Sequence, residues 1–482
     1  MNYSSYEFRS KKFIYFLTFH ANLGSFVTGM FFVALNACIW EVLGAIESAA
    51  ESERFDKILL SAAIPFGAIF GAWGASAFAV KKGRRSSLIA ADVIAVVACL
   101  SSVDQSFFII LIGRLLCGIV VGINWTIIPL YVREVSPPDL SGRSGAIFRI
   151  MFCAGILLTF IMSLGLKLQK QGDDVFIDDK DNLWKVIFLL PIAFCVLRTL
   201  IFIILVRLET PRYYISQNDQ ENAMLALAQI YTDEQVKSIY SQESRFEDTN
   251  DFSEVLSPRF KRQAMIVFLL ILVNEFMGTN ALTFYSTEIF LNSGKSKEAD
   301  YFNIRPLNVY FSLVRFLATV VGIGLIDKIG RRPLILYGTI LTTLVGALTS
   351  LTTFSENLHL GEEILTIIFT GLQSMSLNLV LPIYTAELLP SYGMGLQVIF
   401  QMVCVLLVTI VFPYAVTIKY AFMVFTAVGV FSFIPMLKLV KETKGKTLNE
   451  IYRLFHAEKD SGLLDEEVVE EEFSPYSLRS DY

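Results

Sequence analysis

The chain has 482 residues, of which 54% are apolar and only 18% charged, with a formal net charge of −5 and a mean hydropathy of +0.56. Soluble domains carry about 45–50% apolar and about 25% charged residues, so this balance excludes an ordinary water-soluble chain. The mild acidity carries no signal for nucleic acid, and the six cysteines (Cys38, Cys99, Cys117, Cys153, Cys195, Cys404) sit in apolar stretches without a CxxC pair. That pattern supports neither a disulfide framework nor a metal centre. His20, His359 and His456 are too scattered to form a ligand cluster, and no cofactor is implied.

Twelve hydrophobic stretches follow one another near 13–40, 57–80, 86–105, 107–132, 145–167, 184–206, 263–291, 306–326, 333–354, 363–387, 395–418 and 420–438. About 20 apolar residues cross a bilayer core as a helix, whereas barrel strands need only about 9–11. The prediction is therefore an all-α protein of twelve transmembrane helices embedded in a lipid bilayer. The first stretch runs uncharged from Phe13 to Trp40, longer than a signal-peptide core of about 7–15 residues, and should stay as a membrane helix.

Of the 40 lysines and arginines, 26 fall in the ends, the loops at Lys81–Arg85, Arg133, Arg143 and Lys328–Arg332, and the 207–262 loop; only ten fall in the alternate loops. This bias places both termini in the cytosol. The long loop 208–262 divides a first half (1–207) from a second (263–440), and a tail follows (441–482) whose acidic run Asp465–Glu472 reads as a solvated end. Within the loop, Glu221–Tyr231 predicts a short amphipathic helix packed on the cytosolic face. The forty phenylalanines read as lipid-facing or packing residues, and Trp40, Trp125 and Trp184 as anchors or packing. Asp92 and Arg198, about 9–13 Å from the inner surface at 1.5 Å per residue, should snorkel or pair locally.

The halves repeat each other. Pro129-Leu-Tyr131-Val-Arg-Glu134-Val-Ser-Pro137 has the frame of Pro382-Ile-Tyr384-Thr-Ala-Glu387-Leu-Leu-Pro390. Gly83-Arg84-Arg85 answers Gly330-Arg331-Arg332, and Glu209-Thr-Pro-Arg212 answers Glu442-Thr-Lys-Gly445. Glycine permits the tight turn, and the arginines offer bidentate partners to the repeated glutamates. The expected inner gate comprises Arg84, Arg85, Glu134, Arg143, Glu209, Arg212, Arg331, Arg332, Glu387 and Glu442, pairing when the inner side is shut and parting as the halves rock.

These motifs, with Gly113-Arg114, Asn280-Ala-Leu-Thr-Phe284-Tyr285-Ser286, Asp327-Lys-Ile-Gly-Arg-Arg332 and Glu442-Thr-Lys-Gly-Lys-Thr-Leu448, resemble the sugar porter family of the major facilitator superfamily over roughly residues 23–452. The resemblance implies two six-helix halves and a small-molecule solute, most simply a hexose or related sugar, carried by alternating access. It also implies substrate-binding positions at Arg149, Asn274, Glu275, Asn280, Phe284, Tyr285 and Arg315. Several depart from the family's residues. Arg149 replaces a sugar-binding glutamine, Asn274-Glu275 a Gln-Gln pair, Arg315 an asparagine, Pro382 a tryptophan and Val405-Leu406 an Asn-Trp pair, while Asn280 is kept. Ser141 and Met394 replace inner-loop arginines, with Arg143 standing in for one. Proton-coupled members carry a carboxylate in the first helix where this chain has Phe31, which points to a facilitative uniporter, with Glu275 as the remaining proton-carrier position.

A lone charge near the midplane is expensive, so Glu275 is expected to bridge Arg149 and Arg315, tying the fifth, seventh and eighth helices. The other readings are a proton-coupled symporter, a carrier of an anionic or polyol solute, and a sensor of the same fold that binds without transport. The plasma membrane is the expected location. An enzyme has no support: no nucleophile–base set, metal cluster or phosphate loop is present.

Overall fold

The computed structural model describes residues 10–46, 53–166, 168–171, 174–177, 182–244, 260–293, 300–353, 359–389, 393–415, 418–446, 450–451 and 454–455. The side chain of Arg143, residues 447–448 of the Glu442–Leu448 motif, Pro390 and the acidic run of the tail lie outside them.

Eleven described helices are long and apolar enough to cross a membrane. A twelfth, Arg84–Ser101, has 18 residues, about 27 Å at 1.5 Å per residue, with Arg84, Arg85 and Asp92 lowering its hydropathy. In order, the spans are Lys11–Ala37, Glu53–Lys82, Arg84–Ser101, Phe107–Val135, Pro138–Ser163, Leu183–Ile204, Lys261–Ser293, Asp300–Ile329, Arg331–Thr353, His359–Leu388, Gly393–Ala415 and Ile418–Leu439. A short antiparallel hairpin, Leu168–Gln171 with Asp174–Ile177, joins the fifth and sixth. The fold is the twelve-helix major facilitator architecture of two six-helix halves.

Three spans expected to be continuous are broken. The first runs through Lys11–Ala21 and Leu23–Ala37, with helical dihedrals at Asn22, and breaks at Cys38 (φ −127°, ψ 29°) before a further helix, Ile39–Ala45. The seventh divides at Met277-Gly278 into Lys261–Phe276 and Thr279–Ser293, with Gly278 at φ +88°. The tenth divides at Ser376 into His359–Met375 and Leu377–Leu388. A hydropathy window averages over such breaks, because the residues at them are small or mildly polar. Gly278 also has packing reasons: a side chain there would meet the Phe425 ring at 2.4 Å.

The described residues of the 208–262 segment include three short helices, Pro211–Ser216, Gln220–Ile230 and Asp233–Glu243. Asp219 caps the middle one by accepting from the Asn222 N–H at 3.1 Å. Its buried face (Ala223, Ala226, Leu227, Ile230) lies under the first half, and Leu227 and Ile230 join that half's core. The helix predicted over 221–231 therefore packs inward along one side, as its amphipathic spacing requires.

Without a hydrophobic drive between helices in lipid, close backbone packing has to hold them, and small residues permit it. The second and fourth spans meet through reciprocal glycines: a Cβ on Gly67 or Gly71 would strike the Leu115 or Ile119 carbonyl at 2.2 or 2.1 Å, and one on Gly122 the Ala68 carbonyl at 2.1 Å. Away from such seams the helices present large apolar side chains outward, including Phe70, Trp73, Phe108, Ile203 and Phe431, as lipid contact demands.

Gly122→Ala should push the second and fourth helices apart, at a cost of about 1–3 kcal/mol for overpacking. Gly74→Ala meets nothing within 4 Å and should leave stability unchanged or slightly raised. Thermal unfolding of the two variants in detergent checks this, and equal midpoints would contradict the assigned seam.

Candidate functional site

At the face carrying the Gly-Arg-Arg loops, each half closes a circuit of its own. Gly83 turns the chain at φ +95°, ψ 167°, a region open essentially to glycine alone. The carboxylate of Glu209 then accepts from the backbone N–H of Arg85 and of Ser86, both at 2.8 Å, where the first turn of a helix offers free donors. Arg84 pairs with Glu134 at 2.8 Å, and Arg85 donates to the Phe202 and Val206 carbonyls at the end of the sixth span. The second half repeats the wiring. Glu442 accepts from Arg331 N–H at 3.0 Å and Arg332 N–H at 2.9 Å, Arg331 pairs with Glu387 at 2.7 Å, and Arg332 donates to the Leu437 carbonyl. A Cβ on Gly83 or Gly330 would collide with the Glu209 or Glu442 carboxylate at 2.3 or 2.7 Å.

All these pairs join residues of one half. In this geometry none of them bridges the two halves. Arg212 stands in the first turn of Pro211–Ser216, half-buried.

Inside the first half, Arg198 and Asp92 form a buried pair at 2.6 Å, the local pairing foreseen for them. Thr199 Oγ1 adds a bond to Asp92, and Arg198 also donates to Asn124 Oδ1 at 3.2 Å. Arg114 is fully buried in the fourth span and donates to the Phe31 carbonyl at 3.0 Å and the Leu60 carbonyl at 3.4 Å. Among the described residues it has no acidic partner.

Between the halves lies a narrow cavity of about 20 Å³, lined by Trp125, Phe148, Arg149, Asn378, Gln397 and Gln401 among others. Its neighbour on the seventh span is Glu275, fully buried beside the Met277-Gly278 break. The carboxylate accepts from Asn274 Nδ2 at 3.0 Å, Asn280 Nδ2 at 2.5 Å and Gln401 Nε2 at 2.9 Å, and Gln397 Nε2 donates in turn to Gln401 at 3.1 Å. The expected Arg149–Glu275–Arg315 bridge is not formed. Amides on Glu275's own broken span and on the eleventh satisfy the carboxylate, whereas Arg149 lies over the Phe152 ring at 4.9 Å and Arg315 donates to Thr283 Oγ1.

Phe284 and Tyr285 are not among the cavity's lining residues. Phe284 stacks on Phe32 of the first span at 5.2 Å, and the Tyr285 hydroxyl donates to the Thr409 carbonyl at 2.8 Å. Both lie toward the face opposite the Gly-Arg-Arg loops, where the halves are tied to each other. Asn36 donates to Ser286 Oγ at 2.8 Å and the Thr283 carbonyl at 3.0 Å, Lys57 pairs with Glu288 at 2.7 Å, and Arg305 pairs with Glu41. The apolar cores agree: one runs continuously from the first half into that end of the second, while the Gly-Arg-Arg end of the second half has a separate core.

Residues 13–455 match the family described as "Sugar (and other) transporter". The chain belongs to that family. As a sugar porter it is a membrane transporter and not an enzyme. It is 27% identical over 430 residues to the major myo-inositol transporter IolT of Bacillus subtilis (strain 168), covering 85% of this chain and 87% of the relative. To hexose transporter 1 of Plasmodium vivax (strain Brazil I) it is 26% identical over 413 residues, 80% of each chain. To the arabinose-proton symporter of B. subtilis it is 24% identical over 462 residues, 92% and 96% of the two chains. The fold matches the proton:xylose symporter XylE bound to 6-bromo-6-deoxy-D-glucose with a TM-score of 0.78 at 19% identity, covering 92% of this chain and 99% of that one. For the inward-open conformation of XylE from E. coli the TM-score is 0.71, at the same identity and coverage.

Gln397 and Gln401 were not singled out by sequence, because the family's signature in the eleventh helix maps onto Val405-Leu406. Two glutamines four residues apart on an otherwise apolar helix share one face, and that spacing was the available signal. Trp125, read there as an anchor or packing residue, lines the cavity and stacks on Phe32 at 5.8 Å.

Removing one member of a buried ion pair strands the other, at about 3–5 kcal/mol. Asp92→Asn and Arg198→Met should each lower the unfolding midpoint strongly, and the double variant should recover part of the loss. Strictly additive losses would show that the pair is not coupled.

Proposed function

We propose that this sugar porter carries a hexose or closely related sugar down its gradient by alternating access, as a facilitative uniporter of the plasma membrane with both termini in the cytosol. The observation that carries the reading is the asymmetry between the two faces. Polar contacts tie the halves together on the face opposite the Gly-Arg-Arg loops, and the cavity lies between the halves with its polar lining on the fourth, fifth, tenth and eleventh spans. Two rigid halves around one midplane site are the parts that rocking transport needs.

Uniport is supported by the first span, which has no acidic residue between Lys11 and Ala37. Phe31 is buried, and only its carbonyl is bonded by Arg114. Proton coupling needs a titratable group whose protonation is linked to substrate and access, and Glu275 is held by three amides of its own half. The bias of basic residues toward the Gly-Arg-Arg face supports cytosolic termini.

Purified protein in liposomes should equilibrate one or more radiolabelled sugars from a panel of hexoses, pentoses and polyols. Uphill accumulation under an imposed proton gradient, abolished by Glu275→Gln, would replace uniport by symport; binding without flux would make the chain a sensor. Protease added outside intact cells should spare the 208–262 segment and reach the 41–56 and 168–183 loops. Cleavage of the long segment from outside would invert the topology.

A further inference from the structure

Three residues that line the cavity carry a buried donor without a partner. Arg149 Nε, Trp125 Nε1 and Asn378 Nδ2 belong to residues that line this space, all are buried, and none has a hydrogen-bond partner among the described residues. Each is a donor. Arg149 is only 5% exposed, and across the half interface Arg315 is fully buried, with Nε and Nη2 likewise unpartnered. The two helices touch where Cys153 Sγ, one turn beyond Arg149, lies 3.5 Å from Thr319 Oγ1, one turn beyond Arg315. Among the described residues neither guanidinium is ion-paired. The nearby acid, Glu275, spends its oxygens on Asn274, Asn280 and Gln401.

A neutral sugar presents hydroxyls that both donate and accept, and it would leave the positive charge uncompensated. A carboxylate or phosphate presents acceptors only, and its shape fits the planar fork of a guanidinium that stays protonated at any working pH. We propose that Arg149, backed by Arg315, forms an anion subsite of the central cavity, and that the sugar carried bears a carboxylate or a phosphate. Gln397, Gln401, Asn378 and Trp125 would meet its uncharged hydroxyl-bearing part. The inference rests on the transport reading above and narrows its substrate class.

The test uses purified full-length protein, with binding followed by ligand-induced thermal stabilisation in detergent and flux followed in liposomes. The probes are D-glucose, D-glucuronate and D-glucose 6-phosphate. At least one anion should bind ten times or more tightly than glucose, and which one does so separates the carboxylate from the phosphate. Arg149→Gln should weaken that anion roughly 10- to 100-fold, the range for a charge-assisted contact, and so remove most of its advantage over glucose. Arg149→Lys should keep part of the preference, and Arg315→Asn should lower it several-fold. Variants are compared at matched elution profile, so that Arg149→Lys carries the test if the glutamine variant does not fold. Glucose binding as tightly as both anions overturns the proposal, as does an anion preference that survives loss of Arg149. An anion bound through Arg149 but never carried removes the transport reading and leaves the subsite; glucose carried with neither anion bound does the reverse.

Discussion

Within about 30 Å of hydrocarbon no water competes for hydrogen bonds, so every charge that a helix brings into the layer must be satisfied by the protein. That constraint organises this chain. Asp92 meets Arg198 across the third and sixth spans, Arg114 ties the fourth span to the Phe31 and Leu60 carbonyls of the first and second, and Glu275 draws amides from its own broken span and from the eleventh. Each solution also fixes how the helices sit. The same accounting isolates Arg149 Nε and Arg315 Nε and Nη2, donors that no described acceptor fills.

The duplicated motifs divide two tasks that sequence alone had merged. Glu209 and Glu442 hold the turn through backbone amides, whereas Glu134 and Glu387 hold the first arginine through its side chain. Each glutamate has a distinct donor because the glycine conformation aims the following amides along the helix axis toward one carboxylate and leaves the guanidinium to reach sideways for the other. Contacts between the halves are made elsewhere, by Asn36, Lys57 and Arg305, none of which belongs to a repeated motif.

The helices were legible because hydropathy is a sum over many residues, and the halves because three motifs recur at matching positions. Span ends were less so: the second helix runs over Glu53–Lys82 and the eighth over Asp300–Ile329, beyond the apolar stretches, since a helix continues into charged residues that a hydropathy window rejects. The break at Gly278 lies against a neighbour distant in sequence, the Phe425 ring. The buried charges Arg149, Glu275 and Arg315 were readable and their partners were not. Charge count predicts attraction, but reach decides partners, and Asn274 and Asn280 lie one and five residues from Glu275.

The position of Glu209 has a consequence for how the protein is made. It follows the sixth helix directly, so the hydrogen bonds that lock the first Gly-Arg-Arg turn become available as soon as that short stretch leaves the ribosome, before the seventh helix is synthesised. Chains of several units tend to fold from the amino-terminal end during synthesis. The first half can thus be inserted and fastened as a finished body against which the second assembles. The second half waits for Glu442, after its own sixth helix, and until then its six helices have only lipid and the finished half to hold them in register.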